Sequence, residues 1–351
     1  MHSPSRYPRY MVRFTVLASG SKGNSTIVSG GRTRILIDAG LSCRELFRRM
    51  NLAGEEPETL DAILITHEHA DHVSGISVTA RKLGIPVYFT EATHRAWMRW
   101  LTPNRHMTYA LWAEQMRRKA ADRQIDIDPI DPADPEADES APAEELTVAI
   151  AAAAAEPCQP ETSASERCME SEPARPPSRK EAPTWLPAVE YFKAGEPFQI
   201  GDIAISPFTT PHDAADPVGF LLQTEGVRIG YTTDLGHIPP NVKAQLKRLD
   251  LLLLESNHDL EMLRDGPYPW AVKQRVLSRV GHLSNDAAAE FLLNDYDGQA
   301  AYVILAHLSE NNNLPELARL AAERALKHRP SLLANRLLLA AQHEPLDPLN
   351  F

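Results

Sequence analysis

The stretch LITHEHADH, residues 64–72, sets three histidines and an aspartate within six residues at the exit of an apolar run. Ala62 to Ile65 reads as a buried strand, and the histidines follow as the chain leaves the sheet. His67 and His69, two apart in an extended turn, direct both imidazoles to one side. Asp71 and His72 open the next helix and face a second point close by. One loop therefore prepares two metal positions. The zinc-protease helix HExxH needs histidines four apart on one face; position 71 is aspartate, so that motif is absent.

Outward from this loop, short apolar runs recur between Gly, Pro, Asn and Asp: VRFTVLAS, STIVSG, TRILIDAG and PVYFT, then DIAISPF, GFLLQT, VRIGYTTD, DLLLLES and AYVILAH. These predict strands. Helical periodicity falls between them at 42–50, 72–83, 92–101, 239–248, 270–280, 285–295 and 315–328. The class is α/β with many strands in each half. Several strands end on a residue able to bind a metal or orient a ligand: Asp38, His67, Asp234, Glu255 and His307, with His212 four residues past DIAISPF. In α/β sheets such ends gather at one edge, where loops build a site. Asp234 offers one oxygen to each of two cations, and such bridged pairs in hydrolases lie about 3.5 to 4 Å apart.

Composition bounds the setting. The 351 residues carry net charge -11, yet sixteen acidic and five basic residues lie between Asp122 and Glu181, leaving 31 of each sign elsewhere. That segment has nine prolines and no Phe, Trp, Tyr or Gly. It buries too little apolar surface to offset its ordering entropy, so 121–184 is expected to be a disordered acidic Ala/Pro-rich insertion, a tether or a docking segment for a protein partner. Residues 1–10 are expected to be a disordered extension, and 11–351 otherwise one domain. Three cysteines without paired spacing indicate neither a disulfide framework nor a cysteine zinc site. No apolar run approaches the roughly 18 residues a membrane span needs, and no export signal is visible, so the expectation is a soluble cytoplasmic protein without a membrane partner.

THEHADH, with Asp38 before it and His212, Asp234 and His307 after it, resembles the metallo-β-lactamase fold hydrolase superfamily. The resemblance implies a four-layer αββα sandwich and two divalent cations, Zn or else Mn or Fe. It implies that His67, His69 and His212 bind one cation, that Asp71, His72 and His307 bind the other, and that Asp234 bridges them. Asp38 would accept a ring N–H from a ligand histidine and fix its tautomer.

SGSKGNS (19–25), HDAADPVGF (212–220), ESNHD (255–259), GPYPW (266–270), GHLSN (281–285) and AHLSENNN (306–313) are similar to the YycJ/WalJ-like subgroup, which is associated with DNA exonuclease activity. The resemblance implies a DNA phosphodiesterase, 5′-to-3′, in which a metal-bridging hydroxide attacks phosphorus. In related nucleases a histidine one helix before the last ligand strand protonates the leaving oxygen; His282 occupies that place, with Glu255 to orient it. Asp71, His282 and Glu255 are thus the catalytic candidates, and Lys22, Asn24 and Asn312 the candidate substrate contacts. The N–H groups of Ser19 to Ser25 are a candidate anion concavity beside Lys22. Arg264, Lys273, Arg275 and Arg279 precede His282 and could track a phosphate backbone. The sequence leaves open two alternatives, a thioester or lactone hydrolase of the glyoxalase II kind and a metal-stabilised nucleic-acid-binding module, along with oligomeric state, the metal, and the roles of His258, Asp259 and Asn311 to Asn313.

Overall fold

A computed structural model describes residues 12–102, 184–327 and 336–351. The expected N-terminal extension and, but for Thr184, the expected insertion 121–184 lie outside the described residues. Two seven-stranded sheets form the framework. The first is ordered β14 (Leu349–Asn350), β1 (Arg13–Ala18), β2 (Ser25–Ser29), β3 (Arg34–Ile37), β4 (Ala62–Leu64), β5 (Val87–Phe89), β6 (Val189–Tyr191). The second runs β13 (Arg336–Leu339), β12 (Tyr302–Ala306), β11 (Leu251–Glu255), β10 (Val227–Thr232), β9 (Val218–Thr224), β8 (Ile203–Thr209), β7 (Phe198–Ile200).

Period-2 alternation explains the layering. In β3, Ile35 and Ile37 enter the core between the sheets, where they join Phe14, Val28, Phe220, Ile229 and Leu253. Leu36 points the other way, into a core with Leu46 and Met50 of α1 (Cys43–Leu52) and Ile76 and Ala80 of α3 (Ile76–Leu83). β11 repeats the scheme. Leu251 and Leu253 face the first sheet; Leu252 and Leu254 face Phe291 and Leu292 of α8 (Asn285–Asn294) and Ala318 and Ala322 of α9 (Pro315–Lys327). A strand buried on both faces reads as an unbroken apolar run, which is why LLLL appears in the sequence. The result is the αββα sandwich.

The helix expected over 72–83 is broken. α2 (Ala70–Val73) ends at Ser74, and α3 restarts after Gly75. Gly75 donates its N–H to Ala39 O at 2.7 Å, and a Cβ there would meet Leu41 O at 2.0 Å. This close crossing stops the helix. The 239–248 helix contracts to α5 (Pro240–Gln245) and the 270–280 helix to α7 (Trp270–Val276), while α4 (Glu91–Leu101) holds its expected span. Ten strands were expected. The four further ones, β6, β7, β13 and β14, are the outer strands of both sheets, and α6 (Leu260–Asp265) is a further short helix.

Candidate metal centre

The strand exits converge. His67, His69 and His212 form one group whose ligand atoms lie within 4.8 Å of one another; Asp71, His72 and His307 form a second, and Asp234 joins His67 and His72 in a third. Asp234 lies between the first two: its Oδ2 is 3.2 Å from His72 Nε2, and its Oδ1 is 3.9 Å from His212 Nε2 and 3.5 Å from His307 Nδ1. Three residues closing the site hold left-handed backbone, Asp38 (φ 58°), Asp234 (φ 55°) and His307 (φ 57°). Non-glycine residues rarely adopt this region, at a cost of about 1 kcal/mol or more, and it concentrates at functional sites. Below the site the chain crosses itself without room for a methyl group: a Cβ on Gly40 would meet Asp71 O at 1.6 Å.

Four of the five ligand rings have a partner on the outer nitrogen. His72 Nδ1 donates to Asp38 Oδ2 at 2.8 Å, and Asp38 also accepts Thr66 N and Thr66 Oγ1. His212 Nδ1 donates to Gly281 O at 3.0 Å. His67 Nδ1 is 3.0 Å from Thr66 Oγ1. His307 Nδ1 donates to Glu255 Oε1 at 3.0 Å. Glu255, fully buried, thus does for His307 what Asp38 does for His72, and it further accepts His282 Nδ1 at 2.7 Å and the N–H groups of Leu235 and Leu283. The His282 ring lies between the two groups, 5.1 Å from the His212 ring and 5.2 Å from the His307 ring. Ser284 caps α8 by accepting Ala287 N, so His282 is not consumed as a cap.

The two histidine groups differ electrostatically. Burial, and then the neighbouring His72 ring, hold His67 well below its ordinary pKa; burial likewise lowers His212. Burial also opposes charge on His72 and His307, but carboxylates prevail. Asp234, Asp71 and Asp38 raise His72 well above its ordinary value, and Asp234, Asp71 and Glu255 bring His307 to about 10. Burial opposes charge on Glu255 too, yet the His282 ring beside it brings the carboxyl down to about 2.

The residues fit divalent cations. His67 Nε2 is buried, faces the cluster and has no hydrogen-bond partner, and Asp234 Oδ2 meets only the His72 ring, at 3.2 Å. Buried orphans of this kind are costly unless something bonds them, and an imidazole and carboxylate set suits Zn, Mn or Fe.

The expected substrate contacts fare less well. Asn24 is 1 % exposed and donates to Asp71 Oδ2 at 3.1 Å and Gly20 O at 3.1 Å, with His72 Nε2 at 3.0 Å. It positions the cluster from beneath instead of meeting substrate. Asn312 is likewise 1 % exposed, and its backbone carbonyl accepts Asp259 N, so it braces two loops. Lys22 is exposed but engaged with Glu310 at 2.6 Å. Most N–H groups of the loop Ser19 to Ser25 are bonded within the protein. The N–H groups of Ser19, Gly20, Lys22, Gly23 and Asn24 are taken by Ala341 O, Asn24 Oδ1, Gln342 Oε1, Gly20 O and Asp71 O. Asp259 caps α6, and Asn313 ties Ser256 and Asn257 to Asn285.

Sequence reasoning assigned no role to Thr66 or Asp213, although THEHADH and HDAADPVGF contain them. Arg275 forks onto Asp213, with Nη2 at 3.1 Å from Oδ1, and that same oxygen lies 3.5 Å from His212 Nε2.

Among the described residues, no helix is long and apolar enough to cross a membrane. Residues 18–156 match the family described as metallo-beta-lactamase superfamily, and residues 158–308 match the beta-lactamase superfamily domain. The chain is 29% identical over 318 residues to exodeoxyribonuclease YycJ of Bacillus anthracis, covering 91% of this chain and 90% of the relative. It is also 29% identical over 308 residues to exodeoxyribonuclease WalJ of Streptococcus pneumoniae, covering 88% and 86%. In fold it is similar to YhfI of Bacillus subtilis, a metallo-beta-lactamase fold protein (TM-score 0.54, 14% identity, 95% of this chain and 98% of that one). Yeast PDE1 is similar too (TM-score 0.54, 13% identity, 97% and 100%). With this sandwich and this cluster at the strand exits, the chain belongs to the metallo-β-lactamase superfamily as a YycJ/WalJ-like, metal-dependent hydrolase.

Proposed function

We propose that the chain is a DNA phosphodiesterase, acting as a 5′-to-3′ exonuclease with two divalent cations. His67, His69 and His212 would hold one, Asp71, His72 and His307 the other, and Asp234 faces both. When bound, the cations would supply Lewis-acid stabilisation of phosphoryl charge and acidify a nucleophilic water. The protein's own contribution is to hold the rings and to move a proton. The carboxylate of Glu255 only accepts, so His282 carries its Nδ1 proton toward Glu255 and presents Nε2 on the partly exposed side of the ring. A protonated Nε2 delivers its proton to the departing deoxyribose oxygen, which as an alkoxide is a poor leaving group.

The observation that carries this reading is the His282–Glu255 contact of 2.7 Å beside both ligand groups. A thioester expels a thiolate, which leaves without needing such an acid. The identity to two exodeoxyribonucleases supports the same choice.

End-labelled duplexes with Mn²⁺ or Zn²⁺ test it. Nucleotide release is expected from the wild type and not from His67→Ala, while His282→Ala lowers turnover by about 10²- to 10⁴-fold. Thioester or lactone turnover exceeding DNA cleavage, with His282→Ala indifferent, would overturn it.

A further inference from the structure

The segment from Arg264 to Val280 runs past the metal centre with none of its residues buried, its helix α7 included. Trp270 is 65% exposed, and Leu277 and Val280 are 47% and 43% exposed. The helix is only half-covered, through Val272, Lys273 and Val276, and leaves Trp270, Leu277 and Val280 together on its open side, an apolar face beside a basic track. The segment carries Arg264, Lys273, Arg275 and Arg279 against the single acid Asp265, net +3 in a chain of net -11.

It is also wired to the cluster. Arg275 holds Asp213, whose carboxylate lies 3.5 Å from His212 Nε2. Val280 O accepts Asp213 N, and Gly281 O accepts the His212 ring. Arg279 donates to His237 and Lys273 to the carbonyl of Arg264, so neither is tied to a carboxylate by these bonds.

We propose that this helix is the platform on which the substrate strand lies as a single strand, with a base stacked on Trp270 and a phosphate met by Lys273, three residues on and on the same face. The proposal rests on the nuclease reading and names the form of DNA that the site takes. Three residues of helix separate Trp270 from Lys273, about 4.5 Å along the axis, or roughly one nucleotide step of about 3.4 Å. Arg275, held on Asp213, fixes the platform beside the ligand groups. Nucleic-acid sites of this kind combine a basic track with aromatic faces, and an aromatic face can stack only on a base freed from its duplex neighbours. A duplex therefore has to fray before its strand is seated. A second copy of the chain is the competing occupant, and the net positive charge argues against two such faces meeting.

The test uses the full-length, metal-loaded protein and a short phosphorothioate oligothymidylate that resists hydrolysis. It follows tryptophan fluorescence, anisotropy of the labelled strand and particle mass by light scattering. The strand is expected to quench wild-type fluorescence and that of Trp100→Phe, whose indole is exposed on α4. Quenching is lost in Trp270→Phe while affinity holds, because phenylalanine also stacks; Trp270→Ala weakens binding about tenfold. Lys273→Ala keeps the quench but flattens log affinity against log salt by about 0.7. Equal affinity of Trp270→Ala and wild type overturns the proposal, as does a mass that halves in Trp270→Ala without change in strand binding. Cleavage of DNA by a wild type that fails these tests leaves the nuclease reading standing. Binding as described without cleavage sinks that reading and keeps the platform.

Discussion

The two ligand groups stand a few ångströms apart on either side of Asp234, yet they are built from opposite electrostatics. His67, His69 and His212 are three imidazoles turned by neutral partners where these are seen, a threonine hydroxyl for His67 and the carbonyl of Gly281 for His212. Burial holds the His67 and His212 rings uncharged, with lone pairs free for a cation. Asp71, His72 and His307 sit among the carboxylates of Asp38, Asp234 and Glu255, which keep protons on His72 and His307 until something replaces that positive charge. One group is ready and neutral; the other is balanced by protons that a metal must displace.

The largest effect should come from removing what the groups share. Asp234→Asn is expected to strip both positions of affinity and lower turnover by about 10³-fold or more, since it removes several kcal/mol of charge stabilisation. Metal analysis checks the reading: loss confined to one position would mean that Asp234 serves a single group.

A smaller and one-sided effect is expected at Asp38. Asp38→Ala frees His72 Nδ1 and Thr66 Oγ1 in a fully buried site, and should weaken metal binding at the carboxylate-rich group by about 10- to 100-fold while sparing the imidazole group. Titration with a spectroscopic metal such as Co²⁺ reads the two positions separately. Equal weakening at both would erase the contrast.

The smallest effect is the pH slope. His307 has a folded-state pKa near 10 against an ordinary 6.5, and His72 is raised as well. The metal-free protein therefore holds its full benefit from these rings below about pH 6.5 and loses it as pH rises toward 10, visible as a falling Tm. Metal binding to the same group should release protons and weaken as pH falls, whereas His67 and His212, already neutral at pH 7, release none. Calorimetry in buffers of differing ionisation enthalpy counts those protons, and an equal count from both groups would contradict the assignment.

Legibility in the sequence tracked burial. The ten expected strands are the inner ones, where both faces are covered or one face alternates cleanly. The four overlooked strands are the four edges, β6, β7, β13 and β14, whose residues are largely half-buried or exposed and leave little periodic signal. The break at Gly75 was equally hidden, because it answers to the backbone of Ala39 and Leu41 and not to its own neighbours.

By itself the sequence determined which side chains meet. Acid and imidazole residues stand at the strand exits because alternation and strand length decide where each chain segment leaves its sheet, while the ligand roles within HxHxDH are what the family resemblance implies. Asp38 and Glu255 were expected to orient a ring each; only the tertiary structure decided which other groups turn the rings and which polar residues are spent on support. Asn24 and Asn312 looked like substrate contacts and serve the loops, Glu255 holds two rings, and Arg275 reaches Asp213. Those contacts join residues 27 to 62 positions apart, and hydrogen-bond geometry has no periodicity along the chain from which to be read.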